Sequence, residues 1–110
     1  MEERIKEYLK SLPSNTRISL KTYLDFNYRV GGDPQINRVV EIENSKGRFS
    51  YDGHREKNSL VLPSGVSFYN LCNYLIRKSD AKDLCRITYD YGRGLRFFEF
   101  WSLPIGLFEG

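Results

Sequence analysis

The chain opens with a helical period and then changes to a period of two. Ile5, Tyr8, Leu9 and Leu12 fall at i, i+3, i+4 and i+7, with Glu2, Glu3, Lys6 and Lys10 turned elsewhere. That spacing predicts an amphipathic helix over residues 2–12. Acidic residues in its first turn and Lys10 near its last suit the helix dipole, and Pro13-Ser14-Asn15 ends it. From Arg17 to Val30, Ile18, Leu20, Thr22, Leu24, Phe26, Tyr28 and Val30 alternate with mostly polar residues. Such alternation marks a strand with one buried and one wet face, as in an antiparallel sheet covered on one side. Its length predicts a bulge or bend near the middle.

Gly31-Gly32-Asp33-Pro34 reads as a turn, followed by a second strand from Ile36 to Glu43 whose core face is Ile36, Val40 and Ile42. Asn44-Ser45-Lys46-Gly47 turns into a third strand, Arg48 to Tyr51, and the polar stretch Asp52 to Asn58 is a loop. Leu60, Val61 and Leu62 suggest a short fourth strand before Pro63. Ser64 is a plausible N-cap for a second helix over Val66 to Lys78, in which Phe68, Leu71, Cys72, Leu75 and Ile76 share one face. Arg86–Tyr91, Gly92-Arg93-Gly94 and Leu95–Trp101 then read as a hairpin, with an apolar tail from Leu103 to Phe108.

These elements predict one α+β domain over residues 1–110: an antiparallel sheet of five to six strands packed against two helices, in the order α-β-β-β-β-α-β-β. A chain of 110 residues buries roughly two-thirds of its unfolded surface, enough for one core without metal or disulfide staples. Eight Tyr, seven Phe and one Trp favour sheet, because aromatic side chains suit a pleated, half-buried surface.

The net charge of +3 comes from 17 Lys and Arg against 14 Asp and Glu, interspersed along the chain. A nucleic-acid binder usually gathers its positive charge on one face or tract, and no such tract is visible. The charged first dozen residues do not read as a signal peptide, and no apolar run approaches the roughly 20 residues that span a membrane. Two cysteines make neither a disulfide framework nor a four-ligand zinc site. A cytoplasmic protein with reduced thiols and no membrane partner is the expectation.

Catalytic chemistry finds few candidates. His54, the one histidine, lies in a charged loop with no orienting partner in view, so it reads as a surface residue rather than a general base. Cys72 and Cys85 read as inert core thiols. Asp25, Glu41, Glu43 and Asp90 are scattered along strand faces. Arg93-Gly94-Leu95-Arg96-Phe97-Phe98-Glu99-Phe100 loosely echoes the RNA-recognition octamer, but too few residues follow it for the helix and strand that module still needs. No catalytic residue, cofactor or metal is therefore assigned. Surface aromatics remain: Tyr23, Tyr69, Tyr74, Phe98 and Phe100 lie off the apolar stripes, and Arg17, Lys21 and Arg29 cross the wet face of the long strand. Tyrosine is favoured at interfaces because it buries much area at little entropic cost. The candidate partner-binding residues are Tyr23, Asp25, Arg29, Asp52, His54, Arg55, Phe98 and Phe100.

An opening helix, a Pro-bearing turn, a long aromatic strand, a late helix and a closing hairpin, together with Ile87-Thr88-Tyr89-Asp90-Tyr91-Gly92 leading to Phe97-Phe98-Glu99-Phe100, resemble the small immunity proteins of bacterial toxin systems. Among them the chain resembles the YezG-like family, and the likeness lies mainly in the order of elements. It implies a non-enzymatic protein that binds and blocks one toxin by protein–protein contact. The alternative expectation is a small nucleic-acid-binding module with a basic, aromatic sheet face.

Overall fold

Ile5 and Leu9 recur one helical turn apart and are both buried, so α1 (Glu2–Ser11) lays this stripe on the core and leaves its charged residues outside. The computed structural model describes residues 2–25, 35–53, 58–84, 87–90 and 97–108. After α1 come β1 (Arg17–Asp25), β2 (Gln35–Asn44), β3 (Gly47–Asp52), α2 (Phe68–Ala81), β4 (Ile87–Asp90) and β5 (Phe97–Pro104). A 3-10 helix, Ile105–Phe108, follows. The fold is α+β: two helices on an antiparallel sheet.

The hydrogen-bonded order across the sheet is β3-β2-β1-β5-β4. Four strands, β3-β2-β1-β5, form its body, and the short β4 pairs along the outer side of β5. β1 therefore lies at the centre, with β2 on one side and β5, from the far end of the chain, on the other. Pairing runs from Arg17↔Glu43 to Asp25↔Gln35 without a slip, so the expected bulge is absent from this part of the strand. The expected continuation through Phe26, Tyr28 and Val30 lies outside the described residues, as do the hairpin glycines Gly92 and Gly94.

Period two puts Ile18, Leu20, Val40, Ile42 and Trp101 on one face of the sheet, and all are buried. Leu71, Cys72, Tyr74 and Leu75 of α2 meet them there, with Phe68 and Ile76 packed at the margin. Each fully buried large apolar side chain contributes about 1.5–3 kcal/mol relative to exposure. The helices thus cover one face of the sheet. Among the described residues, no helix is long and apolar enough to cross a membrane.

Four expectations need correction. Leu60–Leu62 is not a strand: Leu60 makes one backbone bond to Ser50 O, at 3.0 Å, and buries its side chain. Val61 then points out at 81 % exposure, and Pro63, which has no N–H, prevents further pairing. The second helix begins later than Ser64 suggests. Its N-cap is Ser67, whose Oγ accepts from Asn70 N at 3.1 Å, because Gly65 at φ +86° makes the intervening residues a turn. Ile36 follows the core-facing alternation yet is 59 % exposed, since it lies beyond the cover of the helices. Tyr74, grouped with the surface aromatics, is instead buried, with its hydroxyl donating to Phe108 O at 3.4 Å.

The apolar tail packs. Ile105 N donates to Thr16 O at 2.9 Å, and Phe108 stacks on Trp101 with ring centroids 5.2 Å apart.

Candidate functional site

The odd-numbered residues of β1 and their cross-strand partners form the sheet face opposite the helices. Directly opposed residues on neighbouring strands lie about 5 Å apart, so the register assembles this surface in rows. Asn37, Tyr23 and Phe98 make one row, and Asp52, Val39, Lys21, Phe100 and Ile87 the next. Farther along come Ser50, Glu41, Ser19 and Ser102, then Arg48, Glu43, Arg17 and Pro104. The face is graded: aromatic at one end, charged at the other.

At the aromatic end the Lys21 ammonium lies 5.5 Å from the Tyr23 ring centroid and 5.4 Å from that of Phe98. A cation over a ring face gains about 0.5–1 kcal/mol where water has access, so the rings hold an exposed lysine in place. Asn37 Nδ2 donates to the Tyr23 hydroxyl, which fixes the outer edge of the patch. Ile87 adds apolar surface at 45 % exposure beside Phe100.

At the charged end the cations are already engaged. Arg48 donates from Nε and Nη2 to Glu43 Oε2, at 2.8 and 2.6 Å, and its Nε lies 3.4 Å from Glu41. The hydrogen bond to Glu43, and then the charges of Glu43 and Glu41, push the Arg48 pKa further up. Arg17 Nη2 donates to Ser102 O at 2.7 Å. Three cations (Arg17, Lys21 and Arg48) share the described face with three carboxylates (Glu41, Glu43 and Asp52).

The structure thus brings together three of the expected binding residues, Tyr23, Phe98 and Phe100. Asp52 shares their face but sits on β3, in the row of Lys21 and two strands away. Asp25 closes β1. Arg29, His54 and Arg55 lie outside the described residues. Cys72, on the inner face of α2, is buried, and burial pushes its thiol up to about 12, the nearby Arg38 charge opposing in part. A thiol so shifted is not a nucleophile at neutral pH.

Two further exposed apolar groups, Ile36 and Tyr69, stand at the rim of a small pocket between the start of β2 and the first turns of α2, with Arg38 and Cys72 inside. The sequence holds a signal for it. Ile36, Arg38, Val40 and Ile42 occupy successive core-facing positions of one strand, and Arg38 is the charged residue among them. No family model, no curated protein and no solved structure matches this chain.

Proposed function

We propose that this is a non-enzymatic binding protein acting by protein–protein contact, an immunity protein or similar inhibitor that neutralises a bacterial toxin in the cytoplasm. The observation that carries this reading is Lys21, held between the Tyr23 and Phe98 rings on the sheet face opposite the helices. An ordered cation framed by aromatic surface matches the make-up of interface hot spots, in which rigid rings supply area and a central polar group sets orientation. The balanced charge of the described side chains on this face favours a protein over a polyanion. Arg17 and Arg48 already serve a carbonyl and two carboxylates, so neutralising phosphates would require breaking those contacts.

The experiment is co-expression with the toxin whose gene adjoins this one, followed by purification of the complex. The expected result is restored growth and a stoichiometric complex with the toxin's C-terminal domain. Lys21→Glu should weaken that complex about tenfold or more while leaving the unfolding midpoint in place. An unrelated neighbouring gene, or a toxin that kills equally with and without this chain, overturns the reading.

The aromatic patch also supports the alternative of a nucleic-acid-binding module, since bases stack on exposed rings. Binding of single-stranded DNA that weakens steeply with salt would favour it, and no binding at low salt would remove it.

A further inference from the structure

Arg38 breaks the pattern of its strand. Its register partner Thr22 is buried on the helix-facing side, between Leu20 and the end of β1, so Arg38 projects under α2 instead of into water. Its Nε is buried and has no acceptor, and the Oγ1 of its register partner Thr22 is buried and also has no partner. Among the described residues no carboxylate pairs with Arg38. The same row continues to Glu99 on β5, two strands or about 10 Å away, and Glu99 has an interaction of its own. A donor held out of water without an acceptor costs roughly 1–3 kcal/mol, and more when it is charged. Of the two residues Arg38 lines a pocket, so an acceptor brought in there would relieve its unsatisfied donor.

The pocket has a volume of about 160 Å³ and is lined by Ile36, Arg38, Gly53, Phe68, Tyr69 and Cys72. That is well below the roughly 300–1,000 Å³ of sites that enclose a whole small-molecule ligand, and it suits one side chain. Its rim is apolar and open, with Ile36 59 % and Tyr69 69 % exposed. Arginine binds carboxylate best through two parallel N–H bonds, and a side-on pair uses the unsatisfied Nε–H together with a terminal N–H.

We propose that this pocket receives an acidic side chain of the protein partner, its carboxylate pairing with Arg38 and the apolar residues on either side of it resting on Ile36 and Tyr69. The proposal rests on the protein-binding reading above and names an anchor for it. Asn37 lines the pocket and bonds to Tyr23, so the pocket and the aromatic patch lie at the same end of the sheet, on opposite faces of it.

The test uses the whole chain in a nitrogen-15 correlation spectrum, where a buried arginine Nε–H is protected from exchange. The probes are acetyl-Leu-Glu-Leu-amide, its Gln analogue and sodium acetate, at equal concentrations. The glutamate peptide should move the Arg38 Nε–H downfield and shift the amides of Tyr69 and Cys72. The Gln analogue and acetate should leave them in place. Arg38→Met should abolish the shifts at Tyr69 and Cys72, and Arg38→Lys, which keeps the charge but loses the fork, should weaken binding about tenfold. Equal shifts with all three probes, no shift with the glutamate peptide, or undiminished binding by Arg38→Lys overturns the proposal. In complex with the toxin domain, an unchanged affinity of Arg38→Lys rejects the pocket and spares the inhibitor reading. A pocket that binds the peptide while no toxin is neutralised rejects the inhibitor reading and spares the pocket.

Discussion

Arg4 lies across Gly65, so close that a β-carbon on the glycine would stand 2.6 Å from Arg4 Cδ. The Arg4 guanidinium also donates to the neighbouring Ser64 carbonyl at 3.4 Å. One side chain of α1 therefore straps the turn that leads into α2, and the turn's φ of +86° at Gly65 is one that residues with a β-carbon rarely adopt.

Gly65→Ala should destabilise the chain by about 1 kcal/mol or more, read as a lower urea midpoint with an unchanged slope. Arg4 is exposed and can swing away, so most of the cost is backbone strain. In an Arg4→Ala background the same substitution should keep most of its penalty. A neutral Gly65→Ala would show that the turn tolerates another conformation.

The Trp101–Phe108 stack ties the chain's last turn to β5. Phe108→Ala should cost about 3–5 kcal/mol, the usual range for deleting a fully buried phenyl group. Trp101, the one tryptophan, is 2 % exposed and reports on the loss directly. Its emission should shift to the red in the folded state of the variant, and an unshifted spectrum with unchanged stability would refute the packing.

Burial raises the Cys72 thiol from an ordinary value of 9.0 to about 12. Between those values the folded chain holds a proton that the unfolded chain has lost, so stability falls as pH rises. The contribution is present in full below pH 9.0 and is lost as pH climbs towards about 12. The urea midpoint of the native sequence should fall more steeply from pH 9 to pH 11 than that of Cys72→Ala. Parallel curves would mean the thiol ionises freely in the fold. Burial raises Tyr8 and Tyr74 in the same direction, and both residues are common to the two proteins compared.

Leu60 and Val61 are adjacent and should behave oppositely. Leu60 is 7 % exposed and Val61 81 %. Leu60→Ala should cost about 2–4 kcal/mol, whereas Val61→Ala should stay within about 0.5 kcal/mol of the native sequence. Chemical denaturation of the two variants decides it, and equal costs would restore a paired strand at this position.

The same two residues show where the sequence was legible. A run such as Leu60-Val61-Leu62 carries strand propensity, but whether it pairs depends on a neighbour, and only the folded sheet reveals that Ser50 offers it one backbone bond. Local periodicity did better where a long face repeats, as in Phe68, Leu71, Cys72 and Leu75 of α2, or Ile18 and Leu20 of β1. Those patterns record burial along one element. Ile36 has the right phase and still ends at the rim of a pocket, because phase says which side a residue faces and not how far the cover extends. Tyr23, Phe98 and Phe100 were separable from the core by phase, but their meeting around Lys21 depends on β1 lying next to β5. That pairing joins residues more than seventy positions apart, and nothing local encodes it.

The placement of β1 between β2 and β5 also sets a timetable for synthesis. While β1 to α2 have emerged and β5 is still within the ribosome, one side of the central strand has free N–H and C=O groups and part of the helix-facing surface lacks Trp101. An edge of that kind invites pairing with another nascent chain. The interval closes only when β5 emerges and pairs beside β1, so the exposed edge persists until β5 has left the ribosome.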